Sequence, residues 1–459
     1  MAFIMQGILK VAEKCADVIK KFDEILVVSH IDADGLTSAG IMKKALLRCD
    51  IEPEMKFLRQ LDARSLEEMA NTGRDAIIFT DLGSGSIDLI TNYDFEPIIV
   101  DHHQIKGETK YHLNPHLFGI DGSFELCGAG SAYLLAQGLG ENKDLADLAI
   151  VGAVGDLQHR KKGKLVSENR KILEIGCDLG VLNYKKDIKL FGRQTRPIYM
   201  LLQYSSDPYL PGLTGNEHAC INFLQGLGIS LKDETWRFWV DLSKEEKQLI
   251  VSNLIQYCLS KGMDERSIER LVGEVYTLPR EEERTEIRDA SEYSTLLNAT
   301  ARYDFAEVGL AVCMGDRNGA LKEAKNLLVN HRRNLVNGLL FVKDNGVEKM
   351  EHLQYFYAGK QIRETIVGII AGMSLSTCNR SIPIIGIVDS DDGLKISSRA
   401  TQALVRRGLN LGFAISESAE HVGGVGGGHD IAAGATIPKD SLDEFLGQLN
   451  QRIGIQLNA

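Results

Sequence analysis

The 459-residue chain lacks the features that define several protein classes. It has no apolar run near the ~18 residues that a membrane-spanning helix needs. Its eight cysteines are scattered and form no Cys-x-x-Cys pair, which disfavours a disulfide framework or a thiolate zinc site and favours a reducing compartment. Residues 1–20 show no basic start followed by an apolar stretch, so we expect no signal peptide and a cytoplasmic protein.

Positive charge is also scarce, because 52 basic and 63 acidic residues give a net charge of −11. Charge alone therefore disfavours a nucleic-acid partner, since most of that binding comes from neutralising phosphates. Divalent cations and a local basic groove can still hold a phosphate backbone on an acidic protein. Basic patches at 160–164, 332–333 and 406–407 are candidates, although such patches are usually solvated faces.

The length of the chain predicts two or three domains. Strand and helix patterns alternate over the first ~180 residues, which is typical of a doubly wound, mainly parallel α/β sheet. A helical insertion follows, and a second, smaller α/β domain ends the chain. Trp236 and Trp239 of the insertion would be buried in its core or stack on a base, and we expect burial. The predicted boundaries are 1–184 for the first domain, 185–290 for the insertion as a candidate partner surface, 291–340 for a helical connector that completes the first domain, and 341–459 for the last domain.

Three apolar runs in the first domain are each followed within two residues by acidic residues or histidines. The runs are Ile25–Val28, Ala76–Thr80 and Pro97–Val100. Such runs are typical of buried parallel strands, and open α/β sheets bind ligands beyond the carboxyl ends of their strands. We therefore expect one crevice to gather the residues that follow these runs, together with an aspartate after a later helix. These residues are His30, Asp32, Asp34, Asp81, His102, His103 and Asp156.

Carboxylates with an imidazole suit Mn²⁺ or Mg²⁺ better than zinc. Asp32 and Asp34 are two residues apart and are expected to chelate one ion together, while Asp81 or Asp156 would bridge two ions ~4 Å apart. Two-metal sites commonly serve hydrolysis at phosphorus, in which His103 would contact the phosphate, protonate the leaving oxygen or orient a neighbouring ligand. A single aspartate after a strand is usually a helix N-cap, so the prediction rests on the four clusters together.

Two glycine-rich segments are candidate anion sites. Gly128, Gly130 and Ser131 open a helix, where free backbone N–H groups would meet an anion or small residues would allow close packing. Residues 423–428 are predicted to form a loop whose amides make an anion-binding nest, with His429 and Arg399 adding charge. The spacing of these glycines does not match a dinucleotide loop, so we expect no nucleotide cofactor.

Together these motifs resemble the DHH phosphoesterase superfamily and, within it, the archaeal RecJ-like nucleases. The resemblance extends over most of the chain and rests on His-x-Asp-x-Asp-Gly at 30–35, Asp-His-His at 101–103 and Gly-Gly-Gly-His at 426–429, with Asp81 and Asp156. It implies that two Mn²⁺ ions, or Mg²⁺, bind His30, Asp32, Asp34, Asp81, His102 and Asp156. It also implies catalytic roles for Asp81, His102 and His103. The implied phosphate contacts are Asn298, Arg302, Arg399, Gly426, Gly427, Gly428 and His429.

The same resemblance implies a single-strand-specific exonuclease, acting 5′→3′ on DNA in replication or repair, that associates with the GINS complex. Two motifs of the insertion, at 190–193 and 207–212, are similar to those of the archaeal group. A phosphodiesterase for RNA, short oligonucleotides or cyclic dinucleotides is one alternative. A replisome scaffold that binds GINS is the other.

Overall fold

The computed structural model describes residues 2–205, 207–375 and 377–458. The chain divides into two units, residues 1–325 and 326–459. All eight cysteines are free thiols, as expected. Within the described residues, no helix combines the length and the apolarity that crossing a lipid bilayer would require.

The first unit is built on a five-stranded parallel sheet, which confirms the predicted doubly wound fold. Its strands are β1 (Ile25–His30), β2 (Glu54–Leu58), β3 (Ala76–Thr80), β4 (Glu96–Val100) and β5 (Tyr111–Leu113). They lie in the order β2-β1-β3-β4-β5, and every neighbouring pair is parallel. The order reverses between β1 and β3, and ligands bind open α/β sheets at such a switch point.

Helices cover both faces of this sheet. They are α1 (Ala2–Ile19), α2 (Ala33–Leu47), α3 (Ala63–Ala70), α4 (Ile87–Ile90), α5 (Gly128–Leu139), α6 (Ala146–Gly155) and α7 (Ser167–Asp178). Alternate strand residues such as Leu26, Ile77 and Phe79 pack with α3 and α4 on one face. Helices α2 and α5 contact the sheet from the other side and pack against α1 and α6.

An insertion leaves and rejoins the first unit through an antiparallel two-stranded ribbon. Its strands, β6 (Asn183–Ile188) and β7 (Val272–Thr277), pair along their whole length. Between them lie α8 (Ile198–Gln203), α9 (Glu217–Gly226), α10 (Lys244–Ser260) and α11 (Glu265–Glu269). Trp239 is buried in the core of the insertion, but Trp236 is 41% exposed, so the prediction of burial is wrong for Trp236. Its ring instead lies over Tyr199, with ring centroids 5.0 Å apart.

Three helices follow the insertion: α12 (Ala290–Arg302), α13 (Ala306–Met314) and α14 (Gly319–Asn345). Helix α12 begins at Asp289, whose side chain accepts hydrogen bonds from the amides of Ser291 and Glu292. It packs against α6 and α2. The chain therefore returns to the carboxyl edge of the parallel sheet after the whole insertion.

The second unit has a six-stranded sheet in the order β12-β13-β11-β10-β9-β8. Its strands are β8 (Glu348–Lys349), β9 (Gln354–Tyr357), β10 (Ile384–Ser390), β11 (Gly393–Arg399), β12 (Val425–Gly428) and β13 (Ala432–Ile437). Its other helices are α15 (Val367–Ser374), α16 (Gln402–Arg406), α17 (Leu411–His421) and α18 (Leu442–Asn458). Strands β10 and β11 form an antiparallel hairpin, in which the last pair before the turn is Ser390 and Gly393.

The glycine-rich segment 423–428 differs from the prediction, since residues 425–428 form an edge strand rather than a loop. Gly427 pairs with Gly434, and Gly428 pairs with Ala433 on β13. Glycine is rare in strands, so its repetition suggested a loop. Here it permits close packing, because a Cβ at Gly426 would lie 2.9 Å from the Cβ of Ala435.

Candidate metal centre

The predicted acids and histidines meet at the carboxyl edge of the parallel sheet. Strand β1 ends at His30, and Asp32 then caps α2 by accepting a hydrogen bond from the Gly35 amide at 3.0 Å. Asp81 directly follows β3, and its φ of 58° turns the chain sharply there. The ends of neighbouring strands thus bring residues that are distant in sequence to one place.

The first group of candidate metal ligands contains His30, Asp32 and Asp81. Their ligand atoms lie within 4.8 Å of one another. His30 Nδ1 is 3.2 Å from Asp32 Oδ2 and 3.7 Å from Asp81 Oδ2. The imidazole of His30 and the carboxylate of Asp32 therefore lie on the side of Asp81 that carries Oδ2.

The second group contains Asp34, His102 and Asp156, whose ligand atoms also lie within 4.8 Å of one another. His102 Nε2 is 3.2 Å from Asp81 Oδ1, so the two oxygens of Asp81 face different groups. Asp32 and Asp34 fall into separate groups, so this geometry favours their binding different ions over the expected chelation of one ion together. The reason is that Asp34 already lies in the first turn of α2, whereas Asp32 precedes it.

The chemistry of these groups fits divalent cations. Asp81 Oδ1 is buried and, among the described residues, has no hydrogen-bond partner of good geometry. Burial and the charge of Asp81 raise the pKa of Asp34 well above its usual value. Burial also raises the pKa of Asp156 to about 6; the charge of His102 opposes this shift and that of Asp81 adds to it. Crowded carboxylates with an unsatisfied oxygen are what a bound cation would stabilise.

Helix α5 fixes the carboxylate of Asp34. The amides of Gly128 and Ala129, at the start of that helix, donate hydrogen bonds to Asp34 Oδ2 at 2.8 Å and Oδ1 at 2.9 Å. A Cβ at Gly128 would lie 2.5 Å from Asp81 Oδ1. Both predictions for this glycine segment therefore apply: the helix start binds an anion, which is a side chain of the protein, and the packing there is too close for a larger residue.

Backbone and amide groups orient His102. Its Nδ1 donates to the carbonyl of Gly122 at 2.8 Å, which leaves Nε2 to face Asp81. Gln158 donates to the same carbonyl at 2.7 Å and to Asp156 Oδ2 at 2.8 Å. Such hydrogen bonds fix the tautomer and the direction of a ligand. We did not predict the role of Gln158; the available signal was its place two residues after Asp156.

Asp101 is the buried partner of the histidine pair and was not among the predicted site residues. It accepts hydrogen bonds from the Ser84 amide at 2.9 Å, the His102 amide at 2.7 Å and His103 Nδ1 at 2.7 Å. Burial favours a high pKa for Asp101, but the hydrogen bond and charge of His103 lower that pKa below its usual range. The same bond raises the pKa of His103, whose ring is 57% exposed.

Asn298 and Arg302 approach the first group from α12. Asn298 Oδ1 accepts a hydrogen bond from the Ala33 amide at 3.0 Å. One turn later, burial lowers the pKa of Arg302, while the nearby negative charge of Asp32 opposes that shift. The structure therefore places both predicted phosphate contacts beside the candidate metal ligands.

The other predicted phosphate contacts belong to the second unit. Arg399 ends β11, and its Nη1 donates to the Ser398 carbonyl at 2.8 Å. Helix α15 presents glycines to the guanidinium, and a Cβ at Gly368 would lie 2.5 Å from Arg399 Nη2. On β12, a Cβ at Gly427 would have no neighbour within 4 Å, and His429 is exposed just beyond the strand. This edge of the sheet thus offers uncovered backbone together with an imidazole.

Comparisons with known proteins assign the family. Sequence models match the N-terminal domain of the DHH family at residues 24–153, the DHH-CID domain at 190–272 and the DHHA1 domain at 351–454. An uncharacterized protein of Methanocaldococcus jannaschii is 33% identical over 98% of this chain and 99% of its own length. The chain belongs to the DHH family. It is a RecJ-like member, and therefore a hydrolase of the phosphoesterase type.

One further relative and two solved structures are similar to this DHH-family chain. The single-stranded-DNA-specific exonuclease RecJ of Bacillus subtilis is 28% identical over 41% of this chain and 26% of RecJ. RecJ of Thermus thermophilus in complex with Mn²⁺ has the same fold, with a TM-score of 0.60, 16% identity, and coverage of 98% of this chain and 55% of that one. CDC45 of Entamoeba histolytica also shares the fold, with a TM-score of 0.66, 12% identity, and coverage of 99% and 98%.

Proposed function

We propose that this DHH-family chain is a two-metal exonuclease that degrades single-stranded DNA from its 5′ end, in replication or repair. The observation that carries the proposal is the position of Asp81, whose two oxygens face two separate groups of ligands. His30 and Asp32 would hold one ion, and Asp34, His102 and Asp156 would hold the other. Asp81 would contribute to both.

The residues around the ligands fit hydrolysis of a phosphodiester. When bound, Mn²⁺ or Mg²⁺ supplies Lewis acidity, which eases the deprotonation of water and neutralises charge on a phosphate. The ring of His103 is held at Nδ1 by Asp101, so its Nε2 is the atom that would contact the phosphate or protonate the leaving oxygen. Asn298 and Arg302 would bind oxygens of the same phosphate, since they lie beside the first group.

A strand of nucleic acid is the substrate that best uses the second unit as well. Arg399 and His429 would bind phosphates, and the glycines of β12 would allow the substrate to approach the backbone. The proposed phosphate contacts of β12 are Gly426, Gly427 and Gly428. The single-stranded-DNA specificity of B. subtilis RecJ supports DNA as the polymer. A cytoplasmic location, where such a strand would be available, is part of the proposal.

We also propose that the insertion, predicted at residues 185–290, binds a replisome partner of the GINS type. The match of residues 190–272 to a separate family domain supports an independent role for this region. The alternative, a scaffold without catalysis, draws on the shared fold with CDC45. The complete set of candidate ligands favours an enzyme, and an enzyme can also serve as a scaffold.

The test compares the wild-type protein with Asp81→Asn. Asparagine tolerates the φ of 58° at this position, so the turn is preserved while the bridging charge is lost. With Mn²⁺ and a strand of about 25 nucleotides, the wild-type protein should release a mononucleotide at once from a 5′ label. The variant should lose about three orders of magnitude in rate, as is typical when a main electrostatic contribution is removed.

Asp50→Asn is the matched control, because Asp50 is exposed and has a similar φ of 61°. It should keep full activity. Full activity in Asp81→Asn would refute the two-metal role. Immediate release from a 3′ label would reverse the proposed direction. If the wild-type protein binds Mn²⁺ but cleaves neither DNA nor RNA strands, a scaffold or a phosphodiesterase for small substrates would replace the exonuclease.

A further inference from the structure

Basic side chains cluster where the insertion joins the first unit. The joint is close, because the Lys189 amide at the end of β6 donates to the carbonyl of Leu271 at 2.8 Å. Burial lowers the pKa of Lys189; the charges of Arg160 and the two other arginines add to this shift, and that of Asp207 opposes it. The side chains therefore lie near enough to interact. The cluster consists of His159, Arg160, Lys189, Arg193 and Arg270.

Two members of this cluster lack partners that their burial would ordinarily require. His159 is 9% exposed, and its Nδ1 has no hydrogen-bond partner among the described residues. Burial, with the positive charges of Lys189 and Arg160, lowers the pKa of His159 to about 3, so the ring is neutral. Lys189 is half-buried, and in the part of the chain that the structure describes its ammonium pairs with no carboxylate. A half-buried ammonium that lies among other positive charges and has no carboxylate of its own would be stabilised by an added anion.

The acidic residues nearby do not balance the cluster. Asp207 pairs with both Arg160, at 3.0 Å, and Arg270, at 2.9 Å. Arg193 is bound to the buried carboxylate of Asp289. Among the described residues, Asp207 is thus the only carboxylate that pairs with Arg160 or Arg270, and none pairs with Lys189, so a net positive charge remains at the joint.

The cluster continues directly from the metal centre. His159 follows Gln158, which donates a hydrogen bond to Asp156. The ammonium of Lys161 lies 3.6 Å from the ring centroid of Phe124. Phe124 is close in sequence to Gly122, whose carbonyl orients His102. The loop that starts at the candidate ligand Asp156 thus contains the positively charged residues Arg160 and Lys161, and Arg160 contacts Asp207 of the insertion.

We propose that His159, Lys189, Arg160 and Arg270 form a phosphate subsite for the backbone of a single-stranded nucleic acid. The subsite would hold a phosphodiester group away from the scissile one, and it rests on the proposed function as a nuclease. Two of these residues, His159 and Arg160, lie on the loop that begins at the candidate ligand Asp156. This favours a nucleic-acid strand over an acidic protein segment, because a strand must reach the metal centre to be cleaved. Lys189 would gain the anionic partner that it lacks.

The test measures strand binding rather than cleavage. A fluorescent single strand of about 25 nucleotides is titrated with full-length protein in the presence of a chelator, and Kd is measured by anisotropy over a range of salt concentrations. Each lost phosphate contact lowers the slope of log affinity against log salt by about 0.7 for single strands. Lys189→Gln should show this smaller slope and a several-fold weaker Kd at low salt, with an unchanged unfolding midpoint.

Lys186→Gln is the matched control, because Lys186 is an exposed lysine of the same strand, β6. It should keep the wild-type slope. An unchanged slope in Lys189→Gln would overturn the subsite. If Lys189→Gln lost affinity only for poly-glutamate and not for the nucleic-acid strand, the subsite would also be overturned, and the cluster would be assigned to an acidic protein partner. If the wild-type protein binds strands with the expected slope but hydrolyses none, the proposed nuclease fails and the subsite stands. If the wild-type protein hydrolyses strands, and its slope of log affinity against log salt equals that of Lys189→Gln, only the subsite fails.

Discussion

The two sheets of this protein present their functional groups in different ways. In the parallel sheet of the first unit, the candidate ligands follow the strands, as Asp81 follows β3. In the six-stranded sheet of the second unit, most of the proposed phosphate contacts belong to the strands themselves, as do Arg399 on β11 and Gly427 on β12. A parallel sheet covered on both faces has only its ends free, whereas an edge strand keeps exposed backbone. We therefore expect changes in the first sheet to affect bond cleavage and changes in the second to affect substrate binding.

Among changes outside the candidate ligands themselves, the largest effect should come from Gly128→Ala in the first unit. The new Cβ would lie 2.5 Å from Asp81 Oδ1, so the bridging carboxylate must move. Moving a reacting group by about 1 Å costs about 100-fold in rate. We expect the rate constant for cleavage, measured in single-turnover assays, to fall by that factor. Gly226→Ala, on a helix of the insertion with no atom within 4 Å of the added Cβ, is the control. Equal rates in the two variants would contradict the site geometry.

Asp101→Asn should weaken the same centre by a smaller factor. The carboxylate accepts three hydrogen bonds from the adjacent histidines and one from the Ser84 amide, and a side-chain amide cannot accept as many. Loss of such an outer hydrogen-bond partner typically costs 10–100-fold in metal affinity or activity. Calorimetric titration with Mn²⁺ would measure the change directly. Asp94→Asn, at an exposed position of the same unit, should leave Mn²⁺ affinity unchanged.

Gly368→Ala tests the second sheet. The added Cβ would lie 2.5 Å from Arg399 Nη2, so the guanidinium must leave its place against α15. The loss of one charge-assisted contact to phosphate should raise KM about tenfold with little change in kcat. Gly447→Ala, with open space at its Cβ, serves as the control in the same unit. A fall in kcat at constant KM would contradict the proposal that the first sheet affects bond cleavage and the second affects substrate binding.

The smallest effect concerns stability at the start of α12, away from both sheets. Burial and the adjacent charge of Asp289 raise the pKa of Glu292 from 4.5 to about 7; the hydrogen bonds from Thr195 and Gln194 and the charge of Arg193 oppose the shift. The folded state therefore holds a proton that the unfolded state releases, and the free energy of unfolding should decrease as the pH rises from 4.5 to 7. Glu292→Gln should flatten this dependence in urea unfolding measured across that range. An identical slope in the variant would exclude Glu292 as its source.

The same contrast explains what could be predicted from the sequence. The acids after β1, β3 and β4 were predicted because an apolar run ends at a polar residue, a local pattern that a parallel sheet turns into a shared site. Strand β12 was predicted as a loop because four consecutive small or apolar residues carry no alternation. The ribbon of β6 and β7 was missed because its strands are far apart in the sequence and β6 is mostly polar.

Contacts between distant segments were the least predictable part of the site. The hydrogen bond from Ala33 to Asn298 joins residues that are 265 positions apart, and no local pattern signals it. Asp101 orients His103, and Gln158 orients Asp156, through hydrogen bonds that residue type alone does not reveal. The helix start at Gly128 was predicted to meet an anion, but only the fold shows that the anion is Asp34.

The paired strands β6 and β7 make the insertion a cassette with adjoining ends. Because both ends are fixed in one ribbon, the polypeptide between them can lengthen or shorten at an entropic cost that grows only with the logarithm of its length. Such changes need not shift the register of the catalytic sheet. A protein engineer could therefore splice a different recognition module between Ile188 and Val272, which pair directly, and direct the same hydrolytic centre to a new assembly.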